Sequence, residues 1–507
     1  MEIDELGRAG RYEELRRLLE TSGYSESAIC SRLGLRRLAD YEMEASRRPA
    51  LPPLVDATDV LMRLFLSGDF VEVAVLNAHL DAPAVDLLKA MGLLEATEQG
   101  QCYGTVALYP VNGLLIASDR WSWPDGSAFE APPDTVYPAL VRNTQLFLDL
   151  LPDEPCGRCL DLGSGTGIAA FVASRNGAKR SWASDIAERS TRFAEFNGRL
   201  NGLPDVTAVT SDLYDQLEGR TFDRIVAHPP YMPVLAPKWV FLSGGEDGEQ
   251  ITRRIVEGLP RHLEPGGICC SLTMGTDRRT SDGRDLPFES RVRDWLGEAQ
   301  GEFDVAVIVR RVVEPQQFAL SAAPFEPRTR ADAHAWRELF ARLGVVSLVY
   351  GFLLIRRRQD GTSPAFTIRR VAAPDFRRAD WQWLLAWESA AASGRWPQIV
   401  LDSHLHASRR TDFEVRHRLT DDGWTPHSYQ LRIDRPFDVT CEAEPWAAQL
   451  ISQCDGRSTG RQLFRRFQEE GWIPAGASEE EFADAVTPLV SGGFIEVEGF
   501  RPPRAEG

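Results

Sequence analysis

Cys159-Leu-Asp-Leu-Gly-Ser-Gly-Thr-Gly167 constrains this 507-residue chain more than any other stretch. An apolar strand runs into a turn with three glycines at alternate positions, and a helix-like segment from Ile168 to Ser174 follows. Glycine lets the backbone turn sharply and lets a ligand approach it closely. A second strand-like run, Arg180-Ser-Trp-Ala-Ser184, ends in Asp185. Strand, glycine turn, helix, strand, acid is the order of a nucleotide-type cofactor site on a doubly wound sheet. Ligands of such sheets lie beyond the carboxyl ends of the strands.

The pattern extends in both directions. Strands are expected at Cys159–Gly163, Arg180–Ser184, Val206–Thr210, Phe222–Ala227, Gly267–Met274, Asp304–Val313 and Val345–Arg356, with helices between most of them. The helical Ala331–Leu343 separates the last two. This alternation predicts an α/β core over 125–358, a seven-stranded, mostly parallel Rossmann-like sheet with helices on both faces. The polar run Asp277 to Asp285 is expected to be a solvated loop.

The flanks differ in character. Residues 1–50 form a helical segment, with apolar spacing in Tyr12–Glu20 and a Ser25-capped helix ending at Gly34. Residues 51–124 are expected to form a winged-helix-like domain: helices, then strands at Cys102–Tyr109 and Gly113–Ser118. Its candidate recognition helix, Ala82–Leu94, carries one Lys and one Asp, which favours packing against protein over DNA. Residues 359–507 form an α+β extension, Trp-rich at first, with three helices and a terminal hairpin at Gly493–Val497 as a winged-helix-like end. Trp383 and Trp387 share a helix face, as core residues do.

Bulk properties narrow the partners. The formal charge of −17 disfavours a dedicated nucleic-acid binder. No apolar run reaches the roughly 18 residues of a membrane span. The acidic start, Met1-Glu-Ile-Asp-Glu-Leu, lacks a signal-peptide core, so the cytoplasm is the expected compartment. The eight cysteines do not space like a disulfide framework. In Cys156-Gly-Arg-Cys159 the second cysteine opens the first core strand, a structural role. No second such pair completes a zinc site, and the two imidazoles of His404-Leu-His406 lack a third ligand, so no metal is expected.

The glycine turn lacks the Lys-Ser/Thr ending of a triphosphate loop, and its third glycine comes too early for the dinucleotide fingerprint. G-x-G-x-G after an acidic strand end suits a cofactor without phosphate. Asp161 can bind an ammonium, and the glycine backbone can approach a ribose or amino-acid portion. Asp185 can accept two ribose hydroxyls. In Ser211-Asp-Leu-Tyr214, Asp212 can meet an adenine amino group while Leu213 and Tyr214 cover the ring. These features spell S-adenosylmethionine. At the fourth strand end stands His228-Pro-Pro-Tyr231.

With these residues in place, the core resembles the class I S-adenosylmethionine-dependent methyltransferases. More narrowly it is similar to the "small" group that includes the release-factor glutamine N5-methyltransferases and ribosomal RNA N-methyltransferases. The resemblance rests on Asp161–Gly167, Asp185, Asn201-Gly-Leu203, Asp212, His228–Tyr231, Gly244-Gly-Glu-Asp-Gly248 and Leu263-Glu-Pro-Gly-Gly267. It implies cofactor contacts from Asp161, Gly163, Ser164, Gly165, Gly167, Asp185, Ile186, Asp212, Leu213 and His228. Thr144, in Arg142-Asn-Thr-Gln145, would lie near the methionine end.

The group's usual acceptor motif is Asn/Asp-Pro-Pro-Tyr/Phe, whose first side chain and following carbonyl accept hydrogen bonds from an amino group. Here His228 takes the first place, beside Pro229, Pro230 and Tyr231. A neutral imidazole can accept one hydrogen bond. It can also serve as a base, which would widen the acceptor to hydroxyl, carboxyl or ammonium groups. The resemblance implies methylation of nitrogen on a protein or peptide. Its rivals are a small-molecule N- or O-methyltransferase, a nucleobase N-methyltransferase, and a nucleic-acid-binding regulator with a cofactor-sensing core.

Overall fold

A computed structural model describes residues 3–41, 49–124, 131–236, 238–320, 330–359, 361 and 363–500. The central sheet is built from β1 (Arg158–Leu162), β2 (Arg180–Asp185), β3 (Val206–Thr210), β4 (Phe222–Ala227), β5 (Leu263–Arg279), β6 (Phe303–Val313), β7 (Val345–Arg357) and β8 (Thr367–Val371). Their spatial order is β3-β2-β1-β4-β5-β7-β6-β8. Strand β7 runs against both neighbours, while the other adjacent pairs are parallel. The seven expected strands are all present.

Parallel strands need crossovers that cover both faces, and their sequences are apolar on both sides. The covering helices are α1 (Arg142–Leu150), α2 (Ile168–Arg175), α3 (Glu188–Leu200), α4 (Gln250–His262) and α5 (Phe288–Trp295). On one face Phe171, Phe193 and Phe196 of α2 and α3 join a core with Val226, Cys270 and Leu272. On the other, Ile255, Leu259 and Val292 of α4 and α5 join Leu160, Ile225 and Val305. The register levels the strand ends. Leu162 lies opposite Ser184 and Ala227, and Asp185 lies opposite Thr210. Four connecting loops therefore leave the sheet side by side.

Several expectations are revised. Asp277 to Asp285 keeps the expected solvated tip over 281–285, but its base is ordered. Asp277–Arg279 continue β5, and Arg279 pairs back onto Asp285 of a two-residue strand. The Asp277 carboxylate is held by Arg369, Ser347 and the Phe288 N–H, which an open loop would not provide. The expected strand Cys102–Tyr109 is interrupted. Gln101–Gly104 pairs with Leu94–Ala96 and Val71–Glu72, whereas Ala107–Val111 pairs with Leu114–Ser118 in a separate hairpin. Half-buried and buried residues alternate along Gln101–Gly104, whereas Ala107–Val111 is buried throughout, so the two strands sit in different surroundings. At the far end, Ile495–Val497 pairs with His404–Ala407 rather than in a local hairpin, because Leu405 seeds a buried core between the C-terminal helices.

The flanks are joined to the core by specific bonds. Asn197 and Asn201, one turn apart on α3, act as a substitute strand for the second N-terminal hairpin. Asn197 Oδ1 accepts from Ala117 N (2.7 Å) and its Nδ2 donates to Ala117 O (3.0 Å). Asn201 does the same with Leu115, at 2.9 and 2.7 Å. Asn197 Nδ2 also donates to Thr166 O, inside the glycine turn (3.0 Å).

At the other end, β8 comes from the C-terminal extension yet extends the core sheet in parallel beside β6. Helix Arg378–Ala391 follows. Trp381 Nε1 donates to Leu150 O (3.0 Å), and Trp387 is fully buried against Trp396. A three-stranded antiparallel sheet, β9 (Asp412–Thr420), β10 (Gly423–Ile433) and β11 (Val439–Glu442), is inserted further on.

Replacing Asn201 by Ala leaves the Leu115 N–H and C=O without side-chain partners. Chemical denaturation should show a loss of about 1–3 kcal/mol, with cofactor affinity unchanged. Asn197→Ala should lose comparable stability and cofactor affinity together, because only Asn197 reaches the glycine turn.

Candidate functional site

The loops leaving β1–β4 enclose a cavity of about 680 Å³, within the range of small-molecule and cofactor sites. Its walls hold Asp161, Gly163, Ser164, Gly165, Asp185, Ile186, Asp212, Leu213, Thr144 and the whole of His228–Tyr231. Gly167 and Tyr214 are not on the wall. Gly167 caps α2 at φ +83°, where a Cβ would strike Phe171. Tyr214 turns into the core, stacks on His262 and donates to Ile255 O (2.9 Å), so it cannot cover a ring in the cavity.

The glycine turn is left-handed at Gly163 and Gly165 (φ +68° and +53°), and nothing lies within 4 Å of where their Cβ atoms would stand. That open space faces the cavity, so a ligand can lie against bare backbone. Asp185, at the end of β2, fixes the turn: its Oδ2 accepts from Gly165 N and its Oδ1 from Ala187 N, both at 2.9 Å. Burial raises its pKa against the pull of these N–H donors. Asp161 accepts one bond, from Ala170 N at 3.2 Å. Burial, with Asp185 nearby, pushes it up to about 7. Ser164 Oγ is buried and has no hydrogen-bond partner among the described residues.

Two desolvated carboxylates, an orphaned hydroxyl and open backbone form a cradle for a ligand with a positive charge and hydroxyl donors. An adenosyl sulfonium carrying an ammonium and a ribose has these groups. Asp212 is engaged differently from expectation. Arg254 of α4 grips both its oxygens at 3.0 Å, so its remaining lone pairs are what an adenine amino group could use.

His228 lies between two rings, Phe147 at 5.3 Å and Tyr231 at 5.8 Å centroid distance. Burial lowers its pKa to about 4, so the imidazole is neutral at physiological pH. Tyr231 is fixed at its hydroxyl, where Asn143 Nδ2 donates at 3.2 Å. Its ring also faces Tyr350 at 5.6 Å. The Gly244–Gly248 run explains how the segment is held. Gly244 N donates to Met232 O (2.9 Å), and Val234 N donates to Gly245 O (3.0 Å). A Cβ on Gly248 would stand 2.4 Å from Tyr231 O, so the run packs directly on the backbone of the Pro-Pro-Tyr segment. Glu249, next in the chain, is buried and held by Arg291, Arg278 and Thr276, which anchors the run to the end of β5.

Sequence reasoning missed the outer wall. Asp134–Tyr137 and Lys238–Ser243 line the cavity and bring Tyr137, Trp239 and Phe241 to it. Tyr137 and Phe241 stack at 5.0 Å. These segments lack regular structure and carry no periodic signal. The N-terminal hairpin positions the first of them: Tyr109 Oη accepts from Ala139 N (2.7 Å), and Asp119 Oδ2 accepts from Val136 N (2.8 Å). His404 and His406 lie far from this cavity on a strand of the extension. His404 pairs with Glu498 at 2.9 Å. Among the described residues no His/Cys/Asp/Glu cluster suits a metal ion.

Known proteins match the part of the chain that carries this cavity. The family model "Methyltransferase small domain" matches residues 139–275. A release factor glutamine methyltransferase of Cereibacter sphaeroides is 30% identical over 244 residues, 46% of this chain and 83% of that protein. One from Gloeobacter violaceus is 33% identical over 159 residues, 28% of this chain and 55% of that protein. A ribosomal protein uL3 glutamine methyltransferase of Bradyrhizobium diazoefficiens is 30% identical over 171 residues, 31% of this chain and 52% of that protein. With the matched family segment lying over the glycine turn, the aligned strand ends and the Pro-Pro-Tyr loop, the chain belongs to the S-adenosylmethionine-dependent methyltransferases of the small-domain family.

Proposed function

We propose that the chain methylates a nitrogen on a protein or peptide. The observation that carries this is the continuity of one cavity from the Asp161/Asp185 cradle to His228 and Tyr231. Methyl transfer from a sulfonium needs the acceptor lone pair in line with the methyl group, and little else, because the donor is already activated. Asp161 holds the ammonium, Asp185 the ribose and Asp212 with Leu213 the adenine, while Thr144 and Ile186 bound the donor. His228 and the backbone of Pro229–Pro230 accept hydrogen bonds from the acceptor nitrogen, and Tyr231 packs over it. A neutral, weakly basic imidazole fits a hydrogen-bond acceptor better than a general base. The names of the relatives, which act on release factors and on ribosomal protein uL3, favour a protein substrate and a cytoplasmic setting. No helix among the described residues is long and apolar enough to cross a membrane.

A second reading has its own support. Tyr137, Phe147, His228, Tyr231, Trp239 and Phe241 ring the acceptor side of the cavity, which also suits a planar small molecule. Labelled methyl donor offered to a lysate split into protein, RNA and small-molecule fractions separates the two. Label in the protein fraction supports the proposal, and label confined to small molecules overturns it.

Three outcomes are expected. Asp185→Ala should weaken binding of the donor about 10- to 100-fold by calorimetry, as loss of a charged hydrogen-bond acceptor does. The His228→Asn variant should retain most activity, whereas His228→Ala should lose about 10-fold in kcat/KM. For the wild type, kcat should show no inflection from this group between about pH 5 and 8.

Asp161 gives the third. Its folded pKa is raised, so the empty protein binds more protons than the unfolded chain between about pH 4 and 7. Stability of the ligand-free protein therefore falls as pH rises through that window. An incoming ammonium favours the carboxylate, so donor binding should release a proton near pH 6 or below and tighten as pH rises to about 8. Calorimetry in buffers of different ionisation heat reads that proton, and Asp161→Asn should abolish it.

A further inference from the structure

The inserted sheet β9-β10-β11 leaves β9 as an open edge. All nine residues of β9, Asp412–Thr420, are exposed, and the strand pairs with β10 alone among the described residues. Strand β11 reaches only as far as Gln430, so from Tyr429 outward the sheet is a ribbon two strands wide. Such a ribbon is marginally stable in water by itself. A long open edge also presents unpaired N–H and C=O groups that invite another strand. One face of this ribbon is apolar. Phe413 (41% exposed), Val415 (37%) and Leu419 (63%) alternate along β9, with Trp424 (70%) opposite Leu419 and Tyr429 stacked on Phe413.

The order of residues along β9 identifies the occupant. The strand reads Asp412-Phe-Glu-Val-Arg-His-Arg-Leu-Thr420. Laid antiparallel against a second copy of itself about a two-fold axis through Arg416, it is self-complementary. Phe413 meets the other copy's Leu419, Glu414 meets its Arg418, and Val415 meets its His417. Each of these matches occurs twice, as an isologous contact requires. Residues directly opposite in an antiparallel pair share a face, so the apolar faces of both ribbons merge on one side. The charged face carries Asp412, Glu414, Arg416 and Arg418 from each copy and sums to zero. Glu414 and Arg418 have no ion-pair partner within the chain among the described residues, so they are available across the axis. The one like-charge meeting, Arg416 with Arg416, is flanked diagonally by both Glu414 carboxylates and both Arg418 guanidiniums, whose charges cancel.

We propose that this edge is a homodimer interface: β9 of two copies pairs antiparallel about Arg416, making one six-stranded sheet, β11-β10-β9-β9-β10-β11. The methyl-transfer cavity takes no part in the contact, so the dimer does not depend on the function proposed above.

Sedimentation equilibrium of the full chain over a concentration series tests it. The wild type should dimerise. Glu414→Arg places arginine opposite Arg418 at two positions, and Arg418→Glu places acid opposite Glu414. Each single variant should raise the dimer Kd at least about 10-fold. The double variant Glu414→Arg/Arg418→Glu restores opposite charges in this register alone and should return Kd to within about 3-fold of wild type. Both side chains are exposed, so circular dichroism, and the unfolding midpoint measured at a concentration where every variant is monomeric, should not change. A monomer at every concentration, with or without another protein bound to the hairpin, overturns the proposal. So does a dimer that the single reversals leave intact, or one that the double reversal fails to restore.

Discussion

The hydrogen bond from Gly165 N to the Asp185 carboxylate is the pivot of this molecule. It ties the turn after one strand to the end of the next, and it does so in a place from which water is largely excluded. A buried carboxylate without donors would be unstable, and a glycine turn without an anchor would sample many conformations. Each answers the other's need. The level register of β1–β4 sets the two within reach, and the resulting cradle lines the cavity.

Much of this was legible because it is local. The glycine turn, the acid at the end of β2 and the Pro-Pro-Tyr run are contiguous in sequence, and the alternation of apolar strands and amphipathic helices located all seven core strands. What was hidden depends on distant partners. Tyr214 is an aromatic residue one step past a cavity-facing leucine, yet His262 and the carbonyl of Ile255 draw it inward. Asp212 carries the right charge in the right place, but nothing in the chain around it announces Arg254, 42 residues away. The outer aromatic wall comes from irregular segments whose shape is imposed by the N-terminal hairpin. The polar run after Met274 looked solvent-facing because its charges are dense. Its tip, 281–285, is exposed as that density suggests, but at its base Asp277 is drawn in by Arg369, and Arg278 by Asp247 and Glu249.

The flanking regions are therefore less separable than their composition suggests. Side chains of α3 serve as a strand edge for the N-terminal hairpin, and that hairpin in turn fixes Val136 and Ala139 on the cavity wall. On the opposite side, the first strand of the C-terminal extension closes the open edge of β6, and Arg369 from that strand reaches back to Asp277 and Glu289. Both flanking regions mix helices and strands of their own. The bonds that cross between them make the catalytic core depend on both.

The packing of Gly248 against the Tyr231 carbonyl carries one more implication. The Pro-Pro-Tyr loop is braced from behind, by backbone that tolerates no side chain, and the brace is bolted to β5 through Glu249. In the walls in front, Val136 and Ala139 are pinned by the N-terminal hairpin, but residues 238–243 are half-buried or exposed and carry no such restriction. Descendants of this chain could therefore exchange cargo by redecorating that second wall while the trajectory of the methyl group stays as it is, a division between a frozen rear and an editable front.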